Sequence, residues 1–190
     1  NELSVGDLDG FYKTARAKFD EDSAFADRSR SRVVLLQSGD KETLRLWQVL
    51  VDESTRYFNE VYQLLGVLLV DDDLMGESAY HHLLPNVVEH LDKRGLLKNS
   101  DGADVVFPGG HLNRDGEPLP LIVRKGDGGY NYATTDLACI IDRVQRLGAN
   151  DLLYVVGTPQ ARHFEMVFAV AHQAGLLDDS NNAIHVNFGS

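Results

Sequence analysis

The run Leu152-Leu-Tyr-Val-Val-Gly-Thr-Pro-Gln-Ala-Arg-His-Phe164 decides the fold. Its first five residues, Leu152 to Val156, are all apolar, the mark of a strand buried on both faces. Gly157 and Pro159 stop the strand, and a helical pattern then runs from about Ala161 to Ala174. Downstream, Ile184 to Phe188 reads as another strand. Upstream, a helix from about Thr135 to Leu147 turns Leu137, Ile140, Ile141, Val144 and Leu147 to one side. Before it, Asp104 to Phe107 and Leu119 to Arg124 are short β-type runs, joined by a turn-rich stretch with Asn113, Asp115 and Gly116. Strand, helix, strand, helix, strand with nearly all-apolar strands predicts parallel pairing with right-handed crossovers. The expected fold class is α/β: the C-terminal half of a doubly wound, parallel nucleotide-binding sheet.

Further upstream the spacing is helical. Leu8, Phe11, Tyr12, Ala15 and Phe19 make one face. Asp40 is a fitting N-cap for a long helix carrying Leu44, Trp47, Val51, Phe58, Val61, Tyr62 and Leu65, and Gly66 stops it. A further helix carries Leu84, Val87, Val88 and Leu91, with Pro85 in its first turn and Gly95 past its end. These aromatic and aliphatic stripes are expected to be core. The acidic run Asp71, Asp72 and Asp73 lacks metal-loop spacing and reads as a solvated loop.

Composition narrows the function classes. Of 190 residues, 43% are hydrophobic and 25% charged, the balance of a globular protein. No apolar run reaches the ~18 residues of a membrane span. No basic-then-apolar leader precedes the first helix, so a cytoplasmic, membrane-free location is expected. The single cysteine, Cys139, fits a reducing compartment. The chain opens at Asn1 without an initiator methionine and is expected to be a piece of something longer. A net charge of −11 argues against a surface that grips nucleic acid by itself, and Arg28, Arg30 and Arg32 are diluted by Asp20, Glu21, Asp22 and Asp27. G-x-G-x-x-G, G-x-x-x-x-G-K-[ST] and G-x-S-x-G are all absent, which removes dinucleotide-dependent dehydrogenases, P-loop enzymes and α/β-hydrolases.

In open parallel sheets ligands bind beyond the carboxyl ends of the strands. Three glycine-containing segments fall there: Lys125 to Tyr132, Gly157 to Gln160, and Phe188 to Ser190. Tyr132 and Asp136 are four apart across the loop and first helical turn, so both can face one side. Together they make an anionic, hydrogen-bonding notch suited to a planar cation such as guanidinium. An isolated Asp at this place would more often cap the helix, and the phenol beside it shifts the reading toward the notch. His163 opens the next helix, where it could meet a phosphate or simply lie half-buried. The other histidines show no ligand spacing, since His81 and His82 are adjacent and face apart, and no metal site is expected.

With those residues in place a resemblance emerges. Leu121-Ile-Val-Arg-Lys-Gly-Asp-Gly-Gly-Tyr-Asn-Tyr-Ala-Thr-Thr-Asp-Leu-Ala138 closely resembles the G-G-Y-x-Y-x-T-x-D-L-A signature of the arginyl-tRNA synthetases, a class I family with a Rossmann-like catalytic domain. Tyr154 to Phe164 resembles the next strand–helix junction of that family, and Gly76-Glu-Ser-Ala-Tyr80 its G-E-S-x-Y segment. The helical opening, with Phe19 to Asp22 and Val33 to Gln37, looks like the module that interrupts the nucleotide-binding fold there. The resemblance covers nearly the whole chain. It implies a helical insertion over residues 1–103 and the second half of the nucleotide-binding fold over residues 104–190.

It also implies a function: ATP-dependent activation of arginine to arginyl-adenylate, then transfer to tRNA. Tyr132, Asp136 and Gln160 would line the arginine pocket, and Gly157 and His163 would lie near ATP or the adenylate. L-arginine, tRNA(Arg) and ATP with magnesium would be the partners, and the protein a monomer. The chain departs from the family where phosphate is handled, for it has no H-x-G-H string and no lysine-rich K-M-S-K-S-type loop. This piece is therefore expected to be inactive alone, with no catalytic residue of its own. Two other readings stay open: a class I synthetase for another amino acid, which the Tyr132/Asp136 notch disfavours, and a non-catalytic synthetase-like binding or scaffolding module.

Overall fold

The computed structural model of the protein describes residues 5–189; the side chain of Leu8 and the whole of Ser190 fall outside the described residues. The chain divides into two compact units, Asn1–Asp73 and Leu74–Ser190.

The first unit is made of three helices. Helix α1 (Val5–Glu21) ends one residue before Asp22, whose carboxylate accepts the Phe25 N–H at 3.0 Å and caps α2 (Ser23–Gln37). Asp40 caps α3 (Lys41–Leu65) in the same way, accepting from the Thr43 N–H and hydroxyl at 2.9 and 2.6 Å. Gly66 stops α3 at φ 67°, a left-handed conformation that only glycine adopts without a Cβ penalty. Both ends of this helix follow the sequence expectation. The burial does not. Phe11, Tyr12, Leu44, Phe58 and Leu65, expected as core, are exposed, and Leu68 just past the unit's last helix is 94% exposed. The periodic faces exist, but nothing within the unit is thick enough to cover them. Ala26 and Thr43 are its buried residues among those described. Asp71–Asp73 forms one exposed 3-10 turn, close to the solvated loop expected.

The second unit holds the core. A 3-10 segment (Glu77–Leu83) leads into α4 (Leu84–Lys93), with Pro85 in its first turn and Gly95 at φ 67° beyond its end. Strands β1 (Lys98–Ser100), β2 (Ala103–Val106) and β3 (Leu121–Arg124) follow, then α5 (Tyr132–Ile141), which continues as a π-helical turn over Asp142–Arg146. Strand β4 (Asp151–Gly157), α6 (Ala161–Gln173) and β5 (Asn182–Phe188) complete the chain. Tyr80, Leu84, Val87, Leu91, Val123, Leu137, Ile140, Val167 and Val170 meet in one apolar cluster.

Parallel pairing holds for β4 and β5, which run in register from Asp151–Asn182 to Gly157–Phe188 with α6 as the crossover. It does not hold for β3. That strand closes a separate antiparallel sheet of order β1-β2-β3. The expected three-strand parallel series is thus two strands, with a meander in front of them. A four-residue apolar run carries no sign of which direction its neighbour takes. In β4 and β5 one face is covered and one is open: Leu152 and Tyr154 are buried, while Leu153, Val155, Ile184, Val186 and Phe188 lie exposed on the other side.

Candidate functional site

The site is built from the start of α5. After β3 the chain makes a tight turn in which the Lys125 N–H donates to the Gly129 carbonyl at 2.8 Å and the Gly128 N–H to the Lys125 carbonyl at 2.9 Å. Gly128 sits at φ 85°, so its glycine serves this turn. The chain returns to pair Tyr130 with Arg124, and the Asn131 N–H donates to the Val123 carbonyl at 3.1 Å. Asn131 then caps α5, accepting the Tyr132 N–H at 3.0 Å. The helix therefore begins at Tyr132, three residues before the expected Thr135, and the capping role open to Asp136 belongs to Asn131 instead.

That shift fixes where Tyr132 and Asp136 stand. Both lie on the helix itself, one turn apart. Seven of the ten residues of α5 are buried; Tyr132, Asp136 and Ile141 are the three that are not. A phenol and a carboxylate thus form the polar stripe of a helix otherwise committed to the core. Thr134, fully buried, fixes this turn to the sheet by donating its hydroxyl to the Val123 carbonyl at 2.5 Å.

The carboxylate has a partner that the spacing did not reveal. Asp136 Oδ2 lies 2.6 Å from Nε2 of His163, with side-chain exposures of 25% and 12%. His163 stands in the first turn of α6. Its ring centroid is 4.7 Å from that of Tyr132, tilted at 57°, and 5.2 Å from Phe164, edge to face. Phe164 in turn stacks on His185 of β5, whose Nε2 bonds the Val156 carbonyl at 2.8 Å. Three of the five residues singled out in the sequence, Tyr132, Asp136 and His163, are therefore in direct contact. Gly157 ends β4 and Gln160, exposed, closes the short 3-10 turn (Thr158–Gln160) before α6. Thr158 ties that turn to β5 by donating its hydroxyl to the Phe188 carbonyl at 2.9 Å.

Behind the stripe lies a group of buried polar side chains that the sequence reading missed. Burial pushes the Cys139 thiol up to about 11, helped by the Asp136 charge and opposed by Arg143. Burial likewise pushes the Tyr154 hydroxyl up to about 12, again opposed by Arg143. The Arg143 guanidinium lies 4.7 Å from the centre of the Tyr154 ring, and the Tyr154 hydroxyl is buried with no hydrogen-bond partner of good geometry. Arg143 belongs to the π-helical turn, a distortion that often accompanies functional sites.

A parallel strand–helix–strand unit with this polar notch beside it has clear relatives. The family model described as tRNA synthetases class I (R), catalytic domain, matches residues 1–190. The class is that of the class I aminoacyl-tRNA synthetases. Similar proteins include an arginine–tRNA ligase of Thermobifida fusca, 53% identical over 184 residues, and one of Nostoc sp., 48% identical over 189 residues. These alignments take in 97% and 100% of this chain, but only 32% of each relative, so the chain spans about a third of their length. Among solved structures, arginyl-tRNA synthetase from Plasmodium falciparum superposes with a TM-score of 0.74 at 27% identity, over 93% of this chain and 32% of that one. The chain belongs to the arginyl family of class I tRNA synthetases.

Proposed function

We propose that this chain is the arginine-pocket part of an arginine–tRNA ligase, which joins arginine to ATP as arginyl-adenylate and then transfers the arginyl group to tRNA(Arg). Residues 1–103 act as the helical insertion and residues 104–190 as the second half of the nucleotide-binding fold. The observation that carries the reading is the Tyr132/Asp136 stripe, a phenol and a carboxylate left uncovered on an otherwise buried helix. Asp136 accepts hydrogen bonds from the guanidinium, Tyr132 borders it, and Gln160 reaches in from the turn after β4. Gly157 lets the nucleotide approach the backbone, and His163 stands at the border of the two substrates.

In the first step an arginine carboxylate oxygen attacks the α-phosphorus of ATP and pyrophosphate leaves. In the second, a ribose hydroxyl of the tRNA attacks the carbonyl carbon and AMP leaves. The contribution of these residues is to hold the amino acid in line for both steps. Magnesium enters with ATP as part of the substrate. None of the described helices is long and apolar enough to cross a membrane. In this reading the ligase acts as a cytoplasmic monomer.

Steady-state kinetics of Asp136→Asn in the full-length ligase test the reading. The arginine KM should rise with the ATP KM unchanged. Arginine kinetics like those of the wild type would remove Asp136 from the arginine pocket.

A further inference from the structure

We infer that His163 is a positioning residue of the arginine site: its imidazole fixes the Asp136 carboxylate so that Oδ2 is held by the ring and Oδ1 faces the guanidinium. The inference rests on the arginine-pocket reading above and goes beyond it, because it moves the donor of His163 from the nucleotide to the amino acid.

Three observations carry it. The contact is short, 2.6 Å, between groups that are both partly buried. In this contact a carboxylate oxygen accepts and Nε2 donates, so the Nε2 proton is spent on Asp136 and is not open to a phosphate. The ring is also clamped, lying between Tyr132 at 4.7 Å and Phe164 at 5.2 Å. Phe164 is itself held from behind by His185, which is bonded to the backbone of β4 at Val156. Swinging His163 toward a phosphate would break the carboxylate bond and both ring contacts together. Among the described residues Asp136 Oδ1 has no hydrogen-bond partner, which leaves one oxygen for a ligand. A carboxylate with one oxygen pinned presents the other in a fixed direction, and a fork-shaped cation is recognised by direction as much as by charge.

Two variants of the full-length ligase separate donor from packing. His163→Phe keeps the ring between Tyr132 and Phe164 and removes the proton; His163→Gln gives up the ring and keeps an N–H at similar reach. The expected result for His163→Phe is a rise of roughly tenfold or more in the arginine KM, the ATP KM unchanged, since hydrogen bonds to charged groups are of that size. His163→Gln should recover most of the loss. A higher ATP KM in His163→Phe with arginine unaffected would overturn the inference, as would a His163→Gln variant no better than His163→Phe. Asp136→Asn, run beside them, tells the two levels apart. If it leaves arginine kinetics intact the pocket reading itself falls; if it impairs arginine while His163→Phe does not, only the positioning role falls.

Discussion

Asp136 puts a carboxylate on a helix that otherwise serves the core, and its replacement by an amide should be felt mainly by arginine. Asp136→Asn preserves size, but it replaces an acceptor by an amide that can turn a donor toward a cation. Charge-assisted hydrogen bonds are worth about 1.5–3 kcal/mol, so arginine affinity should fall by roughly tenfold or more. Lysine should stay a poor substrate in both forms, because a compact ammonium leaves acceptors of a fork-shaped site unpaired; amino-acid-dependent pyrophosphate exchange with each substrate reads this out. The buried thiol behind the site gives a separate forecast. Cys139 holds its proton up to about 11 in the folded protein against an ordinary value of 9.0, and Tyr154 up to about 12 against 10.0. Both folded values are raised, so the stability they contribute is complete below pH 9.0 and is lost as pH climbs through 11 and then 12. Urea midpoints should therefore drop across that range, and Cys139→Ser should flatten the first part of the fall. Spacing alone made the Tyr132/Asp136 stripe legible, because four residues is one helical turn. It could not show the bond to His163, 27 residues away across a strand, nor that Asn131 rather than Asp136 would cap the helix.

The turn that starts α5 is held by one buried hydroxyl. Thr134 donates to the Val123 carbonyl, which also accepts from the Asn131 N–H, so Thr134→Val strands no acceptor and loses one hydrogen bond. We expect a loss of about 1 kcal/mol in unfolding free energy by denaturant titration. A small rise in the arginine KM should accompany it, because Tyr132 and Asp136 ride on that turn. Elements were readable where period and punctuation agreed: Asp40 and Gly66 bound α3, and β4, α6 and β5 lie within two residues of their expected limits. Two features escaped. Lys98-Asn-Ser100 has no apolar alternation to announce β1, although Asp101-Gly102, with φ values of 52° and 80°, is a hairpin signal that could have found it. The direction of β3 was also hidden, since its partner is chosen by tertiary packing that a short run does not encode.

Across the whole molecule, the apolar surface left open is more informative than the surface buried. Helical faces in residues 5–73 and the outer side of β4 and β5, where Val155 is 66% exposed, follow clean hydrophobic periods and yet meet no cover among the described residues. Periodicity says which side of an element is apolar; whether anything covers that side is decided by other parts of a protein. The same reasoning bears on activity. The 190-residue chain has neither H-x-G-H nor a lysine-rich loop, so by itself it should give no arginine-dependent pyrophosphate exchange above a blank without protein. Exchange in a preparation free of host synthetase would contradict this. The contact between Asp136 and His163 also carries a consequence for the order of events during folding. Its two halves belong to helices with β4 between them in the chain, so neither local helix formation nor collapse of a single segment can create it. The notch of Tyr132, Asp136 and His163 comes into being only when α6 has docked beside α5, and the nuclear magnetic resonance signal of the His163 ring is therefore a clock for that docking.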